Sequence, residues 1–337
     1  MKLKFFCIII VVAFMISGCS TIKPVKLSGK TMGTSWHIVI AEKEEGLHKN
    51  LQSLIELRLN DINGSMSIFK KGSELSHFNQ TRKRGGKVCV SDDFVAVYKV
   101  ARYLYTETGG AWDGTAGPLV NLWGFGNGNV EMAIPEQAKI KSALENVGFD
   151  KIRLVDGRCL VKENPDIILD LGSIAKGFGV DAISALLRQH DINNFLVEIG
   201  GEVYAAGTKY GKKWRVGVKT PELSLMSQKI FNTIELEDRA IATSGDYNNF
   251  REIDGVRYSH IINPETGWPV TNNVASVSVL AENTTLADGL ATALMVMGVE
   301  KGIALVESLD DVECLIIERA DEGMFTPHMS SGFQKDL

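Results

Sequence analysis

The hydrophobic pattern of the chain changes at a glycine within the segment 167–179, which reads IILDLGSIAKGFG. The aliphatic residues before Asp170 predict a buried strand, because a short apolar run bounded by turn residues is typical of one. From Ser173 onward, apolar residues recur at helical spacing, with Ser173 as the predicted N-cap. The segment therefore predicts a strand, a tight turn and a helix in direct succession.

Lys176 lies in the first turn of this predicted helix. The positive end of the helix dipole disfavours a cation at that position. A bound anion reverses the preference, because helix N–H groups and an ammonium together suit a phosphate. Lys176 is therefore a candidate phosphate ligand. The alternative is a lysine that extends into solvent or pairs with a nearby carboxylate.

The composition allows a large core and argues against a polyanionic partner. The chain has 337 residues, of which 45% are hydrophobic, and this is enough for a sizeable core. Its formal net charge is −5, which implies no basic surface for nucleic acid. We therefore expect no nucleic-acid partner.

The N-terminus carries an export signal. Lysines precede an apolar run over residues 5–16, which is too short to span a bilayer comfortably. The letters ISGC that end at Cys19 resemble a bacterial lipobox, in which the cysteine is lipidated after cleavage. We expect a signal peptide over 1–18, a lipidated cysteine and tether over 19–29, and a single domain over 30–337. The alternative is an ordinary signal peptide that ends near a cysteine.

Three cysteines remain beyond this region, namely Cys89, Cys159 and Cys314. Their wide spacing matches no zinc motif. At most one disulfide is possible among them, and the sequence does not choose the pair. Buried free thiols are the alternative.

Aromatic residues interrupt a glycine-rich segment that begins with Ala111, Trp112 and Asp113 and ends at Gly126. Aromatic rings on such a loop stack on a planar ligand or pack against the core, and the sequence leaves both possibilities open. Met32, which precedes a glycine, presents the same choice between a lid over a ligand and plain core.

Two later segments carry polar side chains that suit phosphate chemistry. His260 lies in a polar loop and is a candidate general base, because imidazole changes charge near neutral pH. Asp288 and Thr292 share one face of a helix predicted over 283–298 and ended by Gly298. A carboxylate and a hydroxyl are hard oxygen ligands that suit Mg²⁺. The alternatives are a structural histidine and a polar pair on a solvated helix face.

Taken in order, these segments resemble the ApbE family of FAD:protein FMN transferases. The resemblance covers essentially the whole mature chain. No single motif is decisive, but their order behind a lipoprotein signal is specific. The matching motifs are Met32-Gly33-Thr34, Ser73–Ser76, Asp113 with Gly117–Gly126, Asp170–Gly177, Ser244–Tyr247, Ser259–Pro264 with Thr266-Gly267, and Ala287-Asp288 with Thr292.

The resemblance implies an α+β fold, with an antiparallel or mixed sheet, flanking helices and one FAD held between two lobes. It implies Mg²⁺-dependent transfer of FMN from FAD to a Thr or Ser hydroxyl of an acceptor protein, while AMP leaves. Suggested acceptors are subunits of membrane electron-transfer complexes outside the cytoplasm. Two other functions fit the same site, namely a Mg²⁺-dependent FAD pyrophosphatase and a lipid-anchored flavin carrier without catalysis.

By matching position, the resemblance also assigns roles to single residues. Lys176 and His260 are the implied catalytic residues, with His260 as the base for the incoming hydroxyl. The backbone carbonyl of Ser173, together with Asp288 and Thr292, would hold Mg²⁺. Ser173 is often Ala in the family, which leaves a carbonyl ligand unaffected. The implied flavin or adenine contacts are Met32, Phe69, Ala111, Trp112, Asp113, Asp170, Lys176 and Ile261.

The same features predict where the protein resides. We expect an exported bacterial lipoprotein that is held in the lipid bilayer through Cys19 and faces the periplasm. Ser20 follows this cysteine, so an Asp-type inner-membrane retention signal is absent. The choice between the inner membrane, which we favour, and the outer membrane stays open.

Overall fold

Helices and strands follow one another irregularly along the chain, as in α+β proteins. The computed structural model describes residues 23–42, 50–126, 133–219, 230–246, 250–320 and 324–333, so the predicted signal peptide and Cys19 lie outside the described residues. The helices are α1 (Leu51–Met66), α2 (Glu74–Gln80), α3 (Asp92–Glu107), α4 (Gly117–Leu122), α5 (Gln137–Leu144), α6 (Gly172–Gln189) and α7 (Thr284–Val306). The strands are β1 (Val25–Thr31), β2 (Thr34–Ile40), β3 (Val88–Cys89), β4 (Ile152–Val155), β5 (Cys159–Lys162), β6 (Phe195–Ile199), β7 (Glu202–Ala206), β8 (Trp214–Lys219), β9 (Ile230–Leu236), β10 (Arg239–Gly245), β11 (Phe250–Ile253), β12 (Val256–Ser259), β13 (Val274–Ala281), β14 (Glu313–Arg319) and β15 (Phe325–Met329).

An eight-stranded antiparallel sheet in the order β1-β2-β6-β7-β10-β13-β14-β15 forms the centre of the fold. One face packs against α6 and α7, and the other face packs against the β8–β9 hairpin through a second apolar cluster. A smaller sheet in the order β3-β5-β4 lies beside α3. An antiparallel sheet with flanking helices confirms the predicted fold class.

Helix α7 is a core helix of this sheet. It is long and apolar enough to cross a membrane by composition alone. Its buried residues, among them Asp288 and Leu294, instead pack between α6 and the strands β10 and β13. Gly298 adopts φ 79° and interrupts the helical backbone where the sequence predicts an end, but helical structure resumes to Val306.

Two boundaries differ from the sequence predictions. Strand β1 begins at Val25, inside the range predicted as the tether, and pairs with β2. The strand predicted before Asp170 is also wrong. Leu169 is buried but has no strand partner, because the Asn79 side chain bonds both its N–H and its carbonyl at 2.8 Å. A side-chain amide from α2 thus takes the place of a neighbouring strand.

A disulfide joins Cys89 to Cys159, which face one another in β3 and β5. The sequence left this pair open. Among the described cysteines, Cys314 is free and buried, and burial raises the pKa of its thiol to about 12.

The double substitution Cys89→Ser and Cys159→Ser should lower the free energy of unfolding by about 2–4 kcal/mol, because the bond closes a long loop. Urea denaturation with and without dithiothreitol measures this change. Reductant should destabilise the unmodified protein and leave the double variant unaffected. Equal stability of the two proteins under oxidising conditions would contradict the expectation.

Candidate active site

Two adjoining cavities form one elongated cleft along the N-terminal end of α6. Cavities of about 650 and 600 Å³ share Ile68, Phe69 and Asp170 in their walls. The α6 half contains Lys176, and the α4 half contains Phe125. Each half alone has the volume of an ordinary ligand pocket. The cleft therefore suits one long ligand better than a compact one.

Phe69 stands between the two halves with 74% of its surface exposed. Its loop is fixed by Ser73, whose hydroxyl donates to the carbonyl of Ser67 at 2.6 Å and accepts from the N–H of Ser76 at 2.9 Å. An exposed aromatic ring on a fixed loop is suited to stack on a planar ligand.

Met32 lies in the two-residue turn between β1 and β2 and lines the α6 half of the cleft. Its φ is 48°, and that of the following Gly33 is 74°. Such a turn requires positive φ at both central positions, which a methionine adopts rarely. The turn thus places Met32 in the cleft wall, where the resemblance predicts a flavin contact.

Asp170 lies where the two halves meet. Its N–H donates to the carbonyl of Gly114 at 2.7 Å, and its Oδ1 accepts from the N–H of Gly172 at 2.8 Å. Burial raises the pKa of this carboxyl, and the bond from Gly172 opposes that shift. The side chain is therefore held firmly in the wall of both cavities.

Helix α6 begins without a side-chain cap. Its N-cap is Leu171, and Ser173 lies inside the first turn, so the predicted capping role of Ser173 is wrong. The Ser173 hydroxyl instead accepts from Nε1 of Trp112 at 3.0 Å. The Asp170 carboxylate accepts from the first N–H of α6, that of Gly172, so this helix terminus already holds one anionic group beside the cleft.

Lys176 reaches from the cleft into a buried acidic cluster. Its Nζ lies 2.7 Å from Oε1 of Glu202 in β7 and 3.4 Å from Oδ1 of Asp288 in α7. Burial lowers the pKa of Lys176, but the two carboxylates outweigh burial and raise it above its usual value. The lysine is thus paired, as one sequence alternative proposed, and it also lines the cleft.

Glu202 was not predicted from the sequence. The one available signal is an acidic residue directly after a Gly-Gly turn, at the start of an otherwise apolar strand. Burial, followed by repulsion from Asp288, raises the pKa of Glu202 to about 8. Its Oε2 is buried and has no hydrogen-bond partner among the described residues. Two carboxyl groups face one ammonium, so the cluster has room for further positive charge.

The residues implied to hold Mg²⁺ fit a hard cation. Oδ2 of Asp288 accepts a hydrogen bond from the N–H of Gly177 at 3.0 Å. In a regular α-helix this N–H would donate to the carbonyl of Ser173, four residues earlier. The Thr292 hydroxyl lies one turn from Asp288 and 3.3 Å from Oγ of Ser244. Among the described residues, no three His, Cys, Asp or Glu side chains form a metal cluster. One carboxylate with neutral oxygens is typical of Mg²⁺ shared with a phosphate ligand.

The segment 111–113 is absent from the described walls of the cleft. Trp112 is buried, and its Nε1 donates a hydrogen bond to the hydroxyl of Ser173 in the first turn of α6. Asp113 accepts from the N–H and the hydroxyl of Thr115 at 2.7 and 2.6 Å, and burial raises its pKa against these bonds. Their predicted ligand contacts stay predictions, while their described contacts support the local structure.

His260 follows β12 on the α4 side of the cleft. Its ring centroid lies 6.3 Å from that of Phe125, which lines the α4 half. Ile261 is partly buried against the main core, and its N–H donates to Oγ of Ser259 at 3.1 Å. His260 therefore lies beside the α4 half through its contact with Phe125, while Lys176 lines the α6 half. Neither His260 nor Ile261 is among the described residues of the cleft walls, so their predicted contacts with substrate stay predictions.

The long cleft combines an exposed aromatic side chain with the start of a helix and a lysine held by two carboxyl groups, and this combination suits a planar, phosphate-bearing ligand. Residues 32–316 match the sequence profile of the ApbE family. The chain is 42% identical to the FAD:protein FMN transferase of Vibrio cholerae, over 96% of each chain. It is 37% identical to that of Haemophilus influenzae, over 97% of this chain and 96% of the relative.

Solved structures agree with these sequence relatives. The flavin transferase ApbE from Vibrio cholerae superposes with a TM-score of 0.84 at 40% identity, over 94% of this chain and 99% of that one. The apo flavinyl transferase ApbE from Pseudomonas stutzeri gives a TM-score of 0.83 at 33% identity, over 93% and 96%. The chain belongs to the ApbE family.

Proposed function

We propose that this protein transfers FMN from FAD to a Thr or Ser hydroxyl of an acceptor protein and releases AMP. The main support for this proposal is the cleft whose wall contains both Phe69 and Lys176. The chain also belongs to the ApbE family. The bond from the acceptor oxygen to the FMN phosphorus forms. The bond from that phosphorus to the oxygen between the two phosphates breaks, and AMP carries this oxygen away.

Phosphoryl transfer requires alignment and charge neutralisation more than covalent chemistry by the enzyme. Lys176 supplies a positive charge in the cleft, and its carboxylate partners fix the position of its Nζ. Preorganised charge of this kind stabilises the transferred phosphoryl group and the leaving phosphate.

We further propose that Asp288, the Thr292 hydroxyl and the Ser173 carbonyl hold Mg²⁺. When bound, Mg²⁺ supplies neutralising charge to a pyrophosphate. Two carboxyl groups that share the ammonium of Lys176, and the buried Oε2 of Glu202 with no hydrogen-bond partner among the described residues, support this assignment. His260 accepts the proton of the acceptor hydroxyl from the α4 side of the cleft.

Replacing His260 by Gln should reduce kcat by about 10²–10⁴-fold, as expected for loss of a general base. The KM for FAD should change little, because the substitution leaves the α6 half intact. Steady-state kinetics of flavin transfer at saturating acceptor measure both constants. His77→Gln, at an exposed position in α2, serves as the matched control. An unchanged kcat in His260→Gln would remove the base assignment.

The function itself is tested with purified protein, FAD, Mg²⁺ and a candidate acceptor domain. Flavin fluorescence on the acceptor in a denaturing gel, together with AMP and abolished by EDTA, is the expected result. AMP with free FMN and no labelled acceptor, across all acceptor candidates, would indicate the pyrophosphatase. Bound FAD without AMP would indicate the carrier.

We also propose export, lipidation at Cys19 and subunits of membrane electron-transfer complexes as acceptors. The disulfide between Cys89 and Cys159 supports export, because disulfides persist in oxidising compartments and are rare in the cytosol. Mass spectrometry of the N-terminal peptide from the membrane fraction tests lipidation directly. A peptide that begins with an acylated Cys19 is expected, and an unmodified cysteine would contradict the anchor.

A further inference from the structure

We propose that one end of the large sheet is a docking face for anionic phospholipid. It gathers six exposed basic side chains, hereafter the basic end: Lys23, Lys26, Lys209, Lys212, Lys213 and Arg215. The inference goes beyond flavin transfer and rests on the proposed lipid anchor for its orientation.

Strand register brings these residues together. Val25, Ile40, Phe195 and Ala206 face one another in one row across β1, β2, β6 and β7. The start of β1 and the loop after β7 therefore lie at the same end of the sheet. Nε1 of Trp214 donates to the carbonyl of Ala206 at 3.0 Å, which fixes the start of β8 at that end too.

The length of the tether decides which surface faces the bilayer. Lys23 is the fourth residue after Cys19. Because a residue spans at most about 3.6 Å, Lys23 lies within about 15 Å of a lipid anchor at that cysteine. The start of β1 must then stay close to the membrane, and the basic end stays with it.

The charge at this end is complementary to an anionic surface. The six basic residues of this end contrast with the formal net charge of −5 of the whole chain. A cleft of about 820 Å³ beside the loop is lined by lysines with Glu235 as the acidic residue among them. Two further acidic residues lie at the same end and are engaged locally. Glu42 accepts from the N–H groups of Asn193 and Asn194, and Asp238 accepts from the N–H of Gly207 and pairs with Arg188.

A rigid turn presents an aromatic ring at the basic end. Lys209 and Lys212 exchange backbone hydrogen bonds of 2.7 and 3.2 Å around Tyr210 and Gly211. Tyr210 has a φ of 56°, a conformation that costs energy in a tyrosine, and its side chain is 44% exposed. Tyrosine flanked by lysines is typical of the membrane–water interface.

The opposite end of the same strands carries the cleft. The turn at Met32 and Gly33 lines the α6 half, seven residues along β1 from Val25. At about 3.3 Å per residue, the cleft lies roughly 20 Å from the docking face. The proposal therefore predicts that the acceptor hydroxyl projects a similar distance from the membrane.

Vesicle sedimentation tests the face without the anchor. The mature chain from Ser20, which carries no acyl group, is mixed with vesicles of phosphatidylcholine and phosphatidylglycerol in equal parts. The triple variant Lys209→Glu, Lys212→Glu, Lys213→Glu should bind at least about 100-fold more weakly, since each basic residue contributes roughly a factor of five. The matched control is a second triple variant, Lys99→Glu, Lys141→Glu, Lys301→Glu. It reverses the charge of three exposed lysines outside the basic end and changes the net charge by the same amount.

The control triple should stay within about fivefold of the unmodified chain, and binding of the unmodified chain should fall at high salt. Equal binding by both triples would overturn the proposal. Unchanged vesicle binding with slower transfer to a soluble acceptor would also overturn it, and would assign the basic end to the acceptor. The test separates failure of the docking proposal from failure of the proposed function. If the proposed function is wrong, the unmodified chain transfers no flavin, whereas vesicle sedimentation still measures its binding to lipid.

Amine labelling of the acylated protein on the same vesicles provides a second readout with native residues. Lys209, Lys212 and Lys213 should become protected relative to vesicles of phosphatidylcholine alone. Lys99 and Lys301 should stay equally reactive on both. Equal reactivity of all five lysines on the two kinds of vesicle would overturn the proposal.

Discussion

Asp288→Asn should reduce kcat for flavin transfer by about 10³-fold and change FAD affinity by less than about tenfold. The asparagine keeps the size of the side chain and removes its charge. Asp288 faces the ammonium of Lys176 and accepts from the N–H of Gly177, so both neighbours require an acceptor at this position. An amide leaves Lys176 less restrained and withdraws the carboxylate from the proposed Mg²⁺ site.

The measurement pairs AMP release over a series of Mg²⁺ concentrations with FAD binding by fluorescence. Loss of turnover with FAD still bound would identify the Asp288 carboxylate as part of the catalytic machinery. Unchanged turnover would show that the metal assignment is wrong.

Asp181→Asn is the matched control. Asp181 is a half-buried carboxylate of α6, and it accepts from the N–H groups of Thr284 and Thr285 at 2.8 Å. Burial raises its pKa too, against the bonds from those threonines. This variant should lose stability and keep its kcat within about threefold. An equal loss of kcat in both variants would trace the effect to packing between α6 and α7.

Residue type and helical spacing were sufficient to select Lys176 and Asp288. A lysine at a helix start and an aspartate on an apolar helix are both unusual enough to require an explanation. The sequence could not show that the two side chains meet, because 112 residues separate them. It also left the partner of Lys176 open between solvent, carboxylate and phosphate.

Glu202 illustrates a limit of patterns read along one chain. A glutamate at the start of a strand is ordinarily solvated, and no local pattern marks this one as buried. Its burial follows from the layers on both sides of β7, with α6 on one face and the second apolar cluster on the other. Tertiary packing creates this part of the site.

The error before Asp170 has a comparable cause. An apolar run predicts burial correctly, since Ile167 and Leu169 are both fully buried. It does not predict which groups bond the backbone, and here Asn79 provides them from another element. Burial was therefore predictable at this position, while strand pairing was not.

Gly177→Ala should lower the free energy of unfolding by about 1–3 kcal/mol, although alanine is favoured over glycine in a helix by about 1 kcal/mol. A methyl group there would lie 2.7 Å from the carbonyl carbon of Thr284 and 2.9 Å from Cα of Thr285. These are backbone atoms of α7, so relief requires α6 and α7 to move apart. The same movement would separate Gly177 from Asp288 and reduce turnover.

Gly64→Ala is the control that separates propensity from packing. Gly64 lies inside α1, and the added methyl would have only Nζ of Lys70 within 4 Å, at 3.8 Å. Alanine should therefore stabilise the protein there by about 0.5–1 kcal/mol. Urea denaturation of both variants measures whether each substitution raises or lowers the free energy of unfolding. Stabilisation at both positions would show that the approach of α6 to α7 is not tight, and that this contact does not set the distance between Lys176 and Asp288.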